Sequence, residues 1–135
     1  MKTRALIVHS LDHARTALAV ATEMGVPVTL ASAPGAAAYL GPAWFRELTA
    51  IAAQEYPQVR LLAILDCGDQ AGHVLAALSC GVRSVRFTGR KAIAVKLAEI
   101  AEAQGGELIT GRLQAFDLLN ESDAEAACRT WLAGR

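Results

Sequence analysis

Leu61-Leu62-Ala63-Ile64-Leu65-Asp66-Cys67-Gly68-Asp69 decides the architecture of this chain. Five consecutive apolar residues are followed by an acid, a thiol and a glycine, and then by apolar positions at helical spacing. That order predicts a buried strand that delivers polar groups to its carboxyl end just before a helix begins.

The same unit repeats on either side. Upstream, residues 4–9 carry an Ala-Leu-Ile-Val run, and Ser10 suits the N-cap of a helix with Leu11, Ala14, Leu18 and Ala21 on one face and Gly25 at its end. Val26-Pro-Val-Thr-Leu-Ala31 reads as a second strand. Ser32-Ala-Pro-Gly-Ala-Ala-Ala-Tyr-Leu-Gly41 is a small-residue loop, long enough to be functional rather than a minimal connection. Pro42 suits the first position of a helix that buries Phe45, Leu48 and Ala52 and stops at Tyr56-Pro57.

Downstream, Asp69 is placed to cap a helix carrying Ala71, Val74, Leu75 and Leu78, with Gly81 as its terminator. Residues 82–87 form a fourth strand interrupted by Arg83 and Arg86. Thr88-Gly89 opens a helix through Ile93, Leu97 and Ile100 that ends at Gln104-Gly105-Gly106. Glu107-Leu-Ile-Thr110 is a weaker fifth strand, and Ser122-Asp-Ala-Glu125 reads as a capping box before a last helix with Ala124, Cys128 and Trp131 inward.

Strand-helix alternation of this kind specifies an α/β domain, a parallel sheet of about five strands joined by right-handed crossovers. Residues 1–135 hold a single domain, since the chain is well short of the ~250 residues of a complete eightfold barrel. Two closures are open. A half-barrel, a fragment of a TIM-like barrel, keeps its helices outside and leaves an inner face for another subunit or rearranged segments to cover. An open flavodoxin-like sheet is covered on both faces by its own helices.

Composition narrows the partners. Acids and bases balance at 13 each, so neither nucleic acid nor an anionic membrane face is expected as a partner. With 53% hydrophobic and 19% charged residues, the chain is more apolar than an average soluble domain, which points to a homo-oligomer of two or more copies. No run approaches the ~20 apolar residues of a membrane span, and Met1-Lys-Thr-Arg leads into a strand too short for a signal-peptide core. The expected location is cytoplasmic, with Cys67, Cys80 and Cys128 as reduced thiols, because the three form no CxxC pair.

Four short stretches carry a resemblance. Val26-Pro-Val-Thr-Leu, Ser32-Ala-Pro-Gly-Ala-Ala-Ala-Tyr, Leu65-Asp66-Cys67-Gly68-Asp69 and Ala77-Leu-Ser-Cys-Gly-Val-Arg-Ser-Val-Arg-Phe-Thr-Gly89 stand in the order and spacing of the amino-terminal half of class II fructose-bisphosphate and tagatose-bisphosphate aldolases, which the chain resembles from Ala5 to Gly89 and faintly through Gly111-Arg-Leu113. The resemblance implies a zinc-dependent barrel lyase acting on phosphorylated sugars. It implies that Asp66 handles a proton on a substrate hydroxyl, and it puts Cys67 where the family has its first zinc-ligand histidine. The family's Asp-Gly-Ser at the end of the fourth strand appears here as Thr88-Gly89-Arg90, and its other zinc ligands come from later strands that have no counterpart here.

From the residues themselves, the carboxyl ends of the strands are where such sheets build their sites. Asp66 is the candidate acid-base group, with loop hydrogen bonding as its equal alternative. Cys67 and His9 are the candidate metal ligands, zinc being the candidate ion; small-residue packing is the stronger reading of Cys67. His13 and His73, on helices, read as solvent-facing. Arg86, Arg90 and Lys91 are the cations around Thr88-Gly89; Ser32, Gly35, Thr88, Gly89 and Arg90 are candidate contacts for a small phosphate or carboxylate ligand, and Arg83 reads as an interface residue. Trp44, Phe45 and Trp131 read as packing residues. No GxGxxG or GxxxxGK[ST] follows the first strand, which weakens a nucleotide-binding reading. A non-catalytic oligomeric or regulatory module that kept the aldolase-like fold is the alternative function.

Overall fold

The computed structural model describes residues 3–134, leaving Met1, Lys2 and Arg135 outside the described residues. Strands β1 (Thr3–Ile7), β2 (Val28–Ala31), β3 (Leu61–Asp66), β4 (Ser84–Arg86), β5 (Glu107–Ile109) and β6 (Leu113–Asp117) form one sheet in the order β5-β4-β3-β2-β1-β6. Every pairing is parallel. Helices α1 (Leu11–Met24), α2 (Pro42–Glu55), α3 (Ala71–Ser79), α4 (Lys91–Ala103) and α5 (Ala124–Leu132) alternate with the strands. The expected α/β parallel architecture is therefore present, with one strand more than the sequence suggested.

Helix boundaries follow local chemistry. Ser10 accepts a hydrogen bond from the His13 N–H at the start of α1, and Gly25 ends that helix in the left-handed conformation with φ of 67°. Two expected caps differ. Asp69 does not cap α3, whose N-cap is Gln70; the Asp69 carboxylate instead accepts a bond from the Gln70 side chain. At α5 the cap is Asp123, bonded to the Ala126 N–H, so the Ser122 capping box does not form. Helix α4 begins at Lys91, two residues after Thr88-Gly89.

The helices share one face of the sheet. Helix α1 packs on α2 and α5, α2 touches α3, and α3 touches α4. Their inward residues, with Leu6, Val8, Leu30, Leu65, Val85 and Leu118 from the strands and the segments just after them, form the main core, including the fully buried Phe45 and Cys128. Trp44 and Trp131 pack against that core, as expected of them. The opposite face holds a smaller cluster of Ala5, Ile7, Ala31 and Ile64, flanked by Leu62, Ile109 and Leu113, with no helical residue in it. One-sided helices are the barrel-type arrangement, not the doubly wound one.

The sheet curls tightly. Laid flat at ~4.8 Å per strand, the five spacings from β5 to β6 would separate them by ~24 Å. Only residues 110–112 connect the two strands, and the four Cα steps from Ile109 to Leu113 reach at most ~14 Å. The edges must therefore approach each other. The register agrees: Ile7, Ala31, Ile64, Ser84 and Glu107 pair in succession, and Ile7 also pairs with Asp117, so one circuit returns ten residues further along. Such a stagger is how a barrel closes. Strands β5 and β6, joined by residues 110–112, are the two edges of the sheet, the first paired with β4 and the second with β1.

This curl buries the inner face within the chain. Ala5, Ala31 and Ile64 have no exposure at all without a second subunit to cover them. No helix among the described residues is long and apolar enough to cross a membrane.

Candidate functional site

At the carboxyl-terminal rim, Asp66, Arg86 and Ile109 form one paired row on β3, β4 and β5, directly above the row containing Ile64 and Ser84. Side chains alternate along a strand. Asp66 therefore lies on the inner face with Ile64. His9 lies two residues beyond Ile7 at the same edge of β1.

Asp66 is buried and fully engaged. Its Oδ1 accepts the backbone N–H groups of Gly35 and Gly68, each at 2.9 Å, and its Oδ2 accepts Arg86 Nη1 at 3.1 Å. The Asp66 N–H in turn donates to Ser32 Oγ at 2.9 Å. Gly35 and Gly68 have φ of 69° and 58°, a conformation that L side chains rarely adopt, and they face each other closely. One carboxylate thus ties the loops after β2 and β3 to the strand ends. Ser32, Gly35 and Asp66, singled out in the sequence, do come together, but as a framework around a carboxylate whose oxygens are both occupied.

Arg86, one of the three cations the sequence offers around Thr88-Gly89, is the one that reaches this row. Its guanidinium is half-buried, and one N–H is spent on Asp66 while Nε is buried with no partner among the described residues. A guanidinium has five N–H donors. Arg86 therefore brings unused donors to the inner side of the rim. Its position two residues before Thr88 in a nearly apolar strand was the available signal.

A second polar group stands on β1 and β6. His9 Nε2 lies 2.6 Å from Asp117 Oδ1, which also accepts the Leu119 N–H at 2.9 Å. A carboxylate can only accept, so Nε2 carries the proton, and in the neutral ring Nδ1 keeps its lone pair. His13 Nδ1 accepts the His9 backbone N–H at 3.0 Å. Burial, followed by the neighbouring His9, lowers the His13 pKa, although Asp117 and Asp12 pull it the other way. His13 is partly buried, not solvent-facing, and so is His73, whose Nδ1 has no partner among the described residues. Asp117 was not anticipated, because β6 was not.

Cys67 goes elsewhere. As the next residue after Asp66 it leaves the strand on the opposite face and joins the helix-covered core, where burial, reinforced by the nearby Asp66 charge, pushes its thiol pKa up to about 12. His9 Nε2 is already taken by Asp117. The structure thus sends the two expected zinc ligands to different surroundings, Cys67 to the core and His9 to Asp117. Among the described residues no group of three or more His, Cys, Asp or Glu side chains is placed to hold a metal ion.

Thr88 donates its N–H to the Gly68 carbonyl at 2.8 Å, linking the loops after β3 and β4. Gly89 lies against Phe87, whose ring would be 2.3 Å from an added Cβ, so a glycine is needed for packing. Arg90 is the N-cap residue of α4 and is exposed. Arg83 is exposed at the start of β4, on the other edge of the sheet.

No protein-family model matches the chain, and no curated protein matches it.

Proposed function

We propose that this protein holds a small phosphorylated or carboxylated carbonyl compound at the carboxyl-terminal rim of its curled sheet. Arg86 is the anion contact, Asp66 the residue that fixes it, and the His9–Asp117 pair the group that moves a proton on the bound compound. The chemistry is lyase-like, in line with the resemblance to class II aldolases. The observation that carries this reading is the half-buried Arg86, with Nη1 bound to Asp66 and the buried Nε without a partner among the described residues. A guanidinium held by one carboxylate presents its remaining donors in the planar geometry that carboxylates and phosphates accept.

Asp66 is a positioning residue in this reading. Its three accepted hydrogen bonds hold both loops and Arg86 in place. The same bonds favour the second reading, a non-catalytic module in which the rim is only framework.

Calorimetric titration with inorganic phosphate, a short phosphorylated keto alcohol and a short 2-oxo acid separates the two. The proposal expects at least one to bind, with Arg86→Gln weakening it by about tenfold or more, the scale of one charge-assisted hydrogen bond. Arg86→Lys should restore part of the loss. No binding by any of the three, or binding unchanged in Arg86→Gln, favours the framework reading and overturns the proposal.

A further inference from the structure

A cleft walled by aromatic rings lies on the helix-covered face, at the free edge of the sheet. Strand β6 pairs only with β1, and the nine-residue α5 packs on α1, so α5 stands at the end of the helical layer. Phe116 of β6 and Ala127 and Trp131 of α5 pack against the main core from this edge. Outside them the surface falls into the cleft, which Ala126 also lines and where Glu121 and Asp123 stand at the amino-terminal end of α5.

The walls suit a cation. The Phe116 and Trp131 ring centroids are 5.9 Å apart with their planes inclined at 42°. Trp131 already holds one cation, the Arg4 guanidinium, which lies 3.8 Å from its ring centroid. The face of an aromatic ring is the negative side of its quadrupole, and neither ring face offers a hydrogen-bond acceptor of ordinary strength.

Charge agrees. No Lys or Arg lines the cleft, whereas Glu121 and Asp123 both do. Neither acid makes an ion pair among the described residues, and the Asp123 Oδ1 accepts only the Ala126 N–H. The cations on and against α5 are committed: Arg4 to the Trp131 ring and carbonyl, Arg129 to both Glu23 and Glu125. Counting all of these, four carboxylates stand against two guanidinium groups, an excess that the roughly half a positive charge of a helix N-terminus does not cancel. An anion is repelled there, and a neutral guest leaves the excess unanswered.

We propose that this cleft binds a small organic cation, an alkylated ammonium group seated against Phe116 and Trp131 with its charge toward Glu121 and Asp123. Alkyl groups on the nitrogen replace N–H donors that the aromatic walls would leave unsatisfied. The cleft lies on the opposite face of the sheet from Asp66, so neither proposal stands or falls with the other.

Choline titrated into the isotopically labelled chain at constant ionic strength tests it, with sodium chloride and the uncharged alcohol in which carbon replaces the nitrogen as comparisons. Choline should shift the Trp131 indole N–H and the Ala126 and Ala127 methyl signals, while the Trp44 indole N–H stays in place. The uncharged alcohol should bind less tightly by about threefold or more, the scale of an exposed cation–π contact. Glu121→Gln and Asp123→Asn should each weaken choline by about twofold, the scale of one exposed charge pair, and both should melt near the wild type because asparagine still caps the helix. Four results overturn the proposal: no Trp131 shift at high millimolar choline, equal shifts with sodium chloride, the uncharged alcohol binding as tightly as choline, or choline binding unchanged when Glu121→Gln and Asp123→Asn are combined.

Discussion

Asp66 and Cys67 are adjacent in sequence and opposite in surroundings, and the pleat of β3 is the whole reason. One side chain meets Gly35, Gly68 and Arg86; the other meets the apolar core. Burial of the thiols has a consequence for stability. The pKa of Cys67 is pushed up to about 12 and that of Cys128 to about 11. Above pH ~8.5 the unfolded chain releases thiol protons that the folded chain keeps, so the unfolding free energy falls as pH rises. His13 acts at the other end. Its pKa is lowered on folding, so below pH ~6.5 the unfolded chain takes up a proton the folded chain resists, and stability falls again. Thermal melts should peak between pH ~6.5 and ~8.5, with His13→Gln flattening the acid limb and Cys128→Ala the alkaline one. A melting temperature that climbs steadily from pH 8.5 to 10 contradicts this assignment. At this scale the sequence placed Asp66, Ser32 and Gly35 correctly at one edge. Loop hydrogen bonding was one of its two readings of Asp66, but the bond from Gly35 and the Arg86 contact on the other carboxylate oxygen were not legible, because they depend on how distant segments fold against each other.

Among the elements, the turn from α4 into β5 is the most constrained by space. A Cβ at Gly106 would stand 2.4 Å from the carbonyl oxygen of Arg83, which also accepts the Glu107 N–H at 2.7 Å. Backbone cannot swing aside as a side chain can. Gly106→Ala should therefore cost ~1–3 kcal/mol in urea unfolding by prising β5 from β4. Gly105→Ala, at a position with φ of 79° and open space around it, should cost only ~1 kcal/mol. Equal effects would mean that the β4–β5 junction gives way more easily than its geometry indicates. The five strand-helix units were legible because apolar runs, Gly stops and Ser10 or Pro42 starts are local signals. Strand β6 was not. Gln114, Ala115 and Asp117 are exposed on it, so it has neither the continuous apolar run of a doubly buried strand nor a regular alternation. What makes it a strand is β1, over a hundred residues earlier in the chain.

For the molecule as a whole, the curl is what assembles the rim. It brings β5 and β6 together, encloses Ala5, Ala31 and Ile64, and turns the carboxyl ends of β1, β3, β4 and β6 toward one rim carrying His9, Asp66, Arg86 and Asp117. Composition gave the apolar content but not where it would be buried. The register that closes the sheet is a tertiary property and leaves no mark in any one segment. The central claim is that this rim takes an anionic small molecule through Arg86, and a residue-resolved NMR titration with inorganic phosphate tests it most directly. The account predicts shifts at the Arg86 side-chain Nε–H and at the amides of Gly35 and Gly68, with residues at the amino-terminal edge such as Arg83 unmoved. Shifts confined to Arg83 and its neighbours, or none at millimolar phosphate, would contradict it.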